Sequence, residues 1–324
     1  MTDVIDVVVS CSSRKRYPVP LNLSLRNVQN EQTDHRARKW VSRLKTCSVA
    51  PRPAASVYGG DHWSVVRVLA GPDSRFQIRR RVWICSAGYG LIPYEASIKP
   101  YAATFASGHR DSVSCGTACQ IQTSNQSWWQ NLALSWDGPA CGTPRFLHAI
   151  PKLCGRAPML VVLSSDYLAA VLKDIEQLLS DDYYREHLAI ISCGTTKLDG
   201  PLARNLLPCN ARMQSTVGGV RASLNVRIAS RLLQELRHRS PSRTTLFRLC
   251  ERIEKKPIPK LRRKTLSDHG VRDFISRQLG KDETISRTAL LSVLRKQKFA
   301  CEYSRFARLY RSIARSTREV TAHA

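Results

Sequence analysis

The sequence predicts an α/β fold, a mainly parallel sheet with helices on both faces, followed by a small basic all-α C-terminal domain. Three observations predict it. Four apolar runs, at 4–9, 81–86, 159–163 and 188–192, do not alternate with polar residues, as expected of strands covered on both faces. Helical patterns lie between the later runs. The composition then turns strongly basic after Arg237.

Each run ends in small polar residues, where open α/β sheets place their chemistry. The first delivers Ser10-Cys11-Ser12-Ser13-Arg14-Lys15-Arg16-Tyr17. The second delivers Cys85-Ser86-Ala87-Gly88 and continues through Gly90-Leu91-Ile92-Pro93-Tyr94-Glu95, so two strand ends are expected to face one crevice. The third and fourth end in Ser164-Ser165-Asp166 and Ser192-Cys193-Gly194-Thr195. Between the second and third runs, 105–157 is rich in Ser, Gly, Cys and Gln and reads as an excursion. Its Trp128, Trp129 and Trp136 suit either base stacking or a small core. Apolar spacing predicts helices over Tyr167–Leu179, with Asp166 as N-cap, and over Ala222–Leu236.

These patterns divide the chain into an α/β domain (1–238), a basic connector (239–265) and a helical, helix-turn-helix-like region (266–324). From Ser240 onward there are 21 Lys and Arg against 8 Asp and Glu. The connector contains Lys255, Lys256, Arg262, Arg263 and Lys264 around two prolines. Helical patterns follow at about 266–279, 286–297 and 302–315. Ser286 is the expected cap of the second, and Arg305, Arg308, Arg311 and Arg315 form a cationic stripe on the third. That stripe suits DNA phosphates, though a solvated helix face has the same pattern.

The 324 residues, 43% of them hydrophobic, suffice for one large domain and a smaller one. The net charge of +26, from 51 basic and 25 acidic residues, makes a polyanion the expected partner. No apolar stretch approaches the roughly 18 residues of a membrane helix, and the opening Met1-Thr2-Asp3 runs directly into a strand. A soluble cytoplasmic protein with no membrane partner is the expectation. Eleven scattered cysteines read as reduced thiols. Cys115, Cys119, Cys141 and Cys154 fit no common zinc spacing, and no metal is expected. Neither G-x-G-x-x-G after a strand nor a P-loop lysine motif occurs, so no nucleotide cofactor is expected.

Cys11 is the candidate nucleophile, because neighbouring cations and helix-terminal N–H groups favour a thiolate. A packed thiol at a buried strand end would look the same. Glu95 is a candidate general base or base-recognition carboxylate, with a plain salt bridge as the alternative. Tyr101 and His109 follow in a loop placed to close the site.

Cys11-Ser12-x-x-Lys15-x-Tyr17 and Gly90-Leu91-Ile92-Pro93-x-Glu95 resemble two elements of the archaeosine synthase core-domain family, C-S-x-x-K-P-Y and G-L-V-P-R-E. The resemblance spans roughly residues 4–110. Ser10 and Arg16 replace the family's prolines, and Ser86 stands one residue farther from Gly90 than in the family pattern. It implies chemistry at the nitrile of 7-cyano-7-deazaguanine in nucleic acid, and the nearest bacterial role is the nitrile-to-amide step of deazaguanine DNA-modification systems. Cys11, Lys15 and Glu95 would then be catalytic. Ser12, Ser13, Tyr17, Ser86, Gly90 and Tyr101 would bind the substrate. DNA, and possibly other proteins of such a cluster, would be the partners. Two other readings remain open: a non-catalytic DNA-binding regulatory or defence protein with a nucleotide-sensing domain, and a base or sugar transferase.

Overall fold

A computed structural model describes the chain except residues 1–3, 29–31, 115–117, 136–141, 195–197, 238, 258–262, 283–284 and 322–324. The chain forms two units, Met1–Pro257 and Ile258–Ala324.

All four apolar runs become strands of one sheet. With β1 at Val4–Ser10, β2 at Arg79–Ser86, β3 at Gly90–Pro93, β4 at Met159–Val162 and β5 at Leu188–Ile191, the order is β3-β2-β1-β4-β5. Only β3 is antiparallel, returning from β2 with Gly90 opposite Ser86 and Pro93 opposite Trp83. Ile5, Val7, Val8 and Val9 are completely buried. Because successive strand side chains point to opposite faces, both faces of β1 are covered. The chain departs from β1 to β2 on one side and later crosses to β4 on the other. A crevice therefore opens beyond the C-terminal ends of β1 and β4, the topological switch point.

Polar residues inside this sheet are paired. Asp6, completely buried on β1, accepts from Arg81 Nε and Nη2 at 2.6 and 2.8 Å and from Trp83 Nε1 at 2.8 Å. This explains the arginine at the start of the second apolar run: it neutralises a carboxylate that would otherwise be buried alone.

The helices of this unit are α1 (Thr33–Thr46), α2 (Asp61–Ala70), α3 (Ala118–Ser135), α4 (Ser165–Ala170), α5 (Leu172–Leu179), α6 (Leu224–Leu236) and α7 (Arg243–Glu251), besides shorter helical turns. Helix α3 packs on α1 and α4, whereas α6 packs on α2, α7 and the β4 and β5 strands. The single helix expected over 167–179 is two, broken at Val171, and Ser164 rather than Asp166 is the N-cap residue. The excursion belongs to the main core. Trp128 and Trp129 are buried, donating to Ala87 O at 2.8 Å and Asp174 Oδ2 at 3.1 Å, so neither is available for base stacking; Trp136 lies outside the described residues.

The expected connector is also corrected. Within it, Ser242 caps α7 through Thr245 N at 3.2 Å, and Leu246, Leu249 and Cys250 join the core. Basic composition obscured this apolar spacing.

The second unit has its own core on α8 (Asp268–Leu279), α9 (Arg287–Lys296) and α10 (Tyr303–Thr321), built from Val271, Phe274, Ile275, Leu290, Leu294, Phe306 and Leu309. All three expected helices form here. Ser267 and Ser286 cap α8 and α9 through Gly270 N and Ala289 N, both at 3.2 Å. Among the described residues no helix is long and apolar enough to cross a membrane.

Candidate active site

Cys11 lies one residue beyond β1, where its N–H still bonds Cys85 O at 3.0 Å. The last ladder bond thus directs its side chain into the switch-point crevice. There Cys11 Sγ is 3.2 Å from the Tyr167 hydroxyl, which stands on α4 just beyond β4. Thr104 Oγ1 is 3.4 Å from the same hydroxyl. Cys11 is only 6% exposed.

Lys15 reaches the site from the turn that follows. Ser12 Oγ donates to Gly59 O at 2.8 Å, and Lys15 forms a β-bridge with Tyr58. The Lys15 ammonium donates to Ser12 O at 2.5 Å and sits 4.4 Å from the Tyr101 ring centroid and 5.0 Å from that of Tyr58. Although part of its stem is accessible, burial of the ammonium pulls its pKa down from 10.5 to about 8, against the opposing influence of Cys11 and Asp111. A lysine so placed exchanges protons near neutral pH.

A closed hydroxyl network backs the pair. Tyr101 OH is 2.7 Å from Ser86 Oγ and 2.9 Å from Tyr58 OH, and it also faces Cys11. Ser86 Oγ accepts from Gly88 N at 3.3 Å and Tyr89 N at 3.0 Å. Burial first, then the proximity of Cys11, raises the pKa of Tyr58, Tyr101 and Tyr167 well above the usual phenol value. All three are therefore neutral hydroxyl donors. Gly88 is required here: a Cβ would come within 2.4 Å of the Tyr101 ring.

Beside Lys15 opens a cavity of about 450 Å³, bordered by Ser13, Ser24, Arg26, Thr104, His109, Arg110 and Asp111. Its size suits a small-molecule or single-base ligand. Asp111 is almost fully buried and chelates Arg26 at 2.8 and 2.6 Å, so the cavity contains a held carboxylate beside cationic groups.

Of the residues singled out in the sequence, Cys11, Lys15, Ser86 and Tyr101 converge, and Ser12 holds Lys15. Ser13 borders the cavity. Tyr17 stands half-buried under the Arg52 guanidinium, 4.5 Å from its ring centroid. Cys11, Ser86, Gly90 and Tyr101 do not border the cavity; they are buried in the core. Gly90 has φ +75°, which the reversal into β3 requires.

Glu95 is not in the site. The antiparallel return carries each residue after Gly90 away from the crevice: Tyr94 N bonds Val82 O, whereas Cys11 N bonds Cys85 O. Glu95 ends on an exposed turn and makes no described hydrogen bond or ion pair with Cys11 or Lys15. The hydroxyl of Tyr167 stands against Cys11 instead, and the carboxylate that borders the cavity with Lys15 is Asp111. Only Tyr167 carried a local signal, as the residue following the Ser164-Ser165-Asp166 strand end.

Among the described residues no cluster of His, Cys, Asp and Glu is arranged to hold a metal ion. Cys115 and Cys141 lie outside those residues, as does the Cys119 side chain.

The basic residues divide as well. Arg305 is engaged within its own unit, bonding Asp268 Oδ1 at 2.6 Å and Leu266 O at 2.9 Å. Arg308 is 69% exposed and 3.5 Å from Asp268, and Arg311 is exposed with its Nε on Ala307 O. Lys255, Lys256, Arg263 and Lys264 are wholly or partly exposed, and Lys256 pairs with Glu254 at 3.2 Å; Arg262 lies outside the described residues. Arg305→Ala is therefore expected to lower the melting midpoint of the second unit by a few degrees. Arg308→Ala should leave melting unchanged and, if this face meets phosphate, reduce the salt slope of DNA binding by about 1. Calorimetry and salt-dependent fluorescence anisotropy separate the two effects.

The fold and site define a doubly wound α/β protein with a thiol, a titratable ammonium and phenolic donors at its switch point. No protein-family model, curated protein or solved structure matches the chain.

Proposed function

We propose that this protein hydrates the nitrile of a 7-cyano-7-deazaguanine base in DNA to the 7-amido form through a thioimidate on Cys11. The observation that carries the reading is the Cys11 sulfur against the Tyr167 hydroxyl, within electrostatic reach of a Lys15 ammonium that itself borders a base-sized cavity. A nitrile carbon needs a soft nucleophile, and its nitrogen needs a proton as charge develops.

The Cys11 thiolate attacks the nitrile carbon while Lys15 gives a proton to the nitrogen, leaving a neutral thioimidate and a neutral amine. That amine takes a proton from the attacking water and returns one to the imine nitrogen, forming a tetrahedral adduct. Collapse breaks the C–S bond and transfers the adduct's hydroxyl proton to the leaving sulfur, releasing the amide. Tyr167 and Tyr101 donate to sulfur while it bears charge. The role expected of Glu95 is not needed.

A base stacked in a duplex cannot bring its nitrile to a sulfur 6% exposed among tyrosines, so the substrate base leaves the stack. The test uses oligonucleotides carrying one cyano base in single-stranded, mismatched and duplex form, with product read as the gain of one water by mass spectrometry. Single strands are expected to react about tenfold or more faster than duplex, because unpairing costs a few kcal/mol. Absence of the amide from every form overturns the reading.

The tight closure around Cys11 also favours a second reading, a non-catalytic DNA-binding protein whose cavity senses a nucleotide. It predicts nucleotide binding at the cavity with the base unchanged.

A further inference from the structure

Three thiols meet in the first unit at a place the proposed reaction does not use. Cys193 lies just beyond β5. Cys209 lies in an irregular segment that returns to that strand through Leu207 N on Ile190 O at 2.8 Å. Cys250 is in the last turn of α7. Cys209 Sγ and Cys250 Sγ are 3.3 Å apart, and Cys193 is near enough to Cys209 to perturb its thiol. Cys250 is completely buried, while Cys193 and Cys209 are half-buried, so a small reagent approaches the group from the side of Cys193 and Cys209.

Two sulfurs at this separation need to close by little more than about 1 Å to reach the disulfide length of about 2.05 Å. The irregular backbone at Cys209 allows that movement better than the helix holding Cys250. Polarisation of the pair helps: the S–H that Cys209 donates lowers the Cys250 pKa, and acting as the donor, together with burial, raises that of Cys209. Cys250 is thus the more readily ionised sulfur of the pair, and a thiolate is the form that reduces a peroxide or attacks an oxidised sulfur.

We propose that Cys209 and Cys250 form an oxidative modification site that converts to a reversible disulfide with hydrogen peroxide or a small organic hydroperoxide, Cys193 being the alternative partner. In the first step one sulfur of the pair, as thiolate, takes oxygen from the hydroperoxide, whose O–O bond breaks. This gives a sulfenic acid and water, or an alcohol from an organic hydroperoxide. In the second step the other sulfur attacks the sulfenic sulfur, forming S–S and expelling hydroxide, which leaves as water with a proton from the attacking thiol. One hydroperoxide is reduced by two electrons and two thiols are oxidised. The bond joins residues 41 apart in the chain, tying the segment after β5 to α7.

The test treats the full chain with graded hydrogen peroxide, traps free thiols and maps non-reduced peptides by mass spectrometry. The expected result is a Cys209–Cys250 peptide pair that dithiothreitol removes, with the melting midpoint raised by about 5 °C in the oxidised form. In Cys250→Ser, the same treatment is expected to yield a Cys193–Cys209 pair instead. The proposal is overturned if Cys209 and Cys250 remain free while other thiols oxidise, or if Cys209 proceeds to sulfinic acid without pairing. The peptide map of the unmodified sequence decides this even if the variant does not fold.

Discussion

Cys11→Ala is expected to abolish the proposed conversion of the cyano base to the amide, by on the order of 10³-fold or more, since Cys11 is the sulfur in contact with the Tyr167 hydroxyl. The substitution removes one atom from a packed position, at a stability cost of about 1–2 kcal/mol. Cys11→Ser retains the shape and is expected to be equally inactive, because an alcohol is far less ionised than a thiol at neutral pH. Tyr167→Phe removes only the hydroxyl and is expected to slow the reaction by about 10- to 100-fold, the value of a buried donor to a charged group. Nucleoside mass spectrometry of DNA, alongside thermal melting, checks all three. Near wild-type amide formation by Cys11→Ala would falsify the thioimidate route.

Lys15→Met should slow hydration by about 10²- to 10⁴-fold, the usual contribution of a placed acid or base. The pH dependence is more diagnostic. With its pKa lowered to about 8, Lys15 loses the proton that the proposed hydration draws from it as pH rises through that value, so the rate should fall above about pH 8. In Lys15→Arg the charge persists, and that descending limb should disappear even though the residual rate is low. Stability moves the opposite way. Native Lys15 releases its proton near pH 8 and the unfolded chain near 10.5, so between these values the unfolded state binds more protons. Over that window the Lys15 contribution to stability rises with pH. Rate profiles and melting curves measured on the same samples test both signs.

The strands were legible because Val, Ile and Leu without alternation have few other places to go than a doubly covered sheet. The caps at Ser267 and Ser286 were equally local. The α7 helix was not, because its apolar spacing lies within a basic, proline-flanked stretch. Glu95 followed from a motif and a plausible turn. Its position is decided by the antiparallel β3 strand, which reverses the chain and moves it down the sheet edge. Tyr58 and Thr104 offered no local signal at all, since their hydroxyls join Tyr101 and Tyr167 only through segments brought together by long-range pairing.

By itself, the sequence determined the strand content, the basic balance of 51 against 25, and Cys11 and Lys15 at the end of the first strand. These depend on residue type and short spacing. The tertiary structure alone decided the strand order, and with it which strand end faces Cys11. It also decided that phenolic hydroxyls rather than a carboxylate surround the sulfur, that burial brings Lys15 to about 8, and that Arg305 serves its own unit. Each of these depends on residues distant in sequence and on the desolvation that their packing imposes.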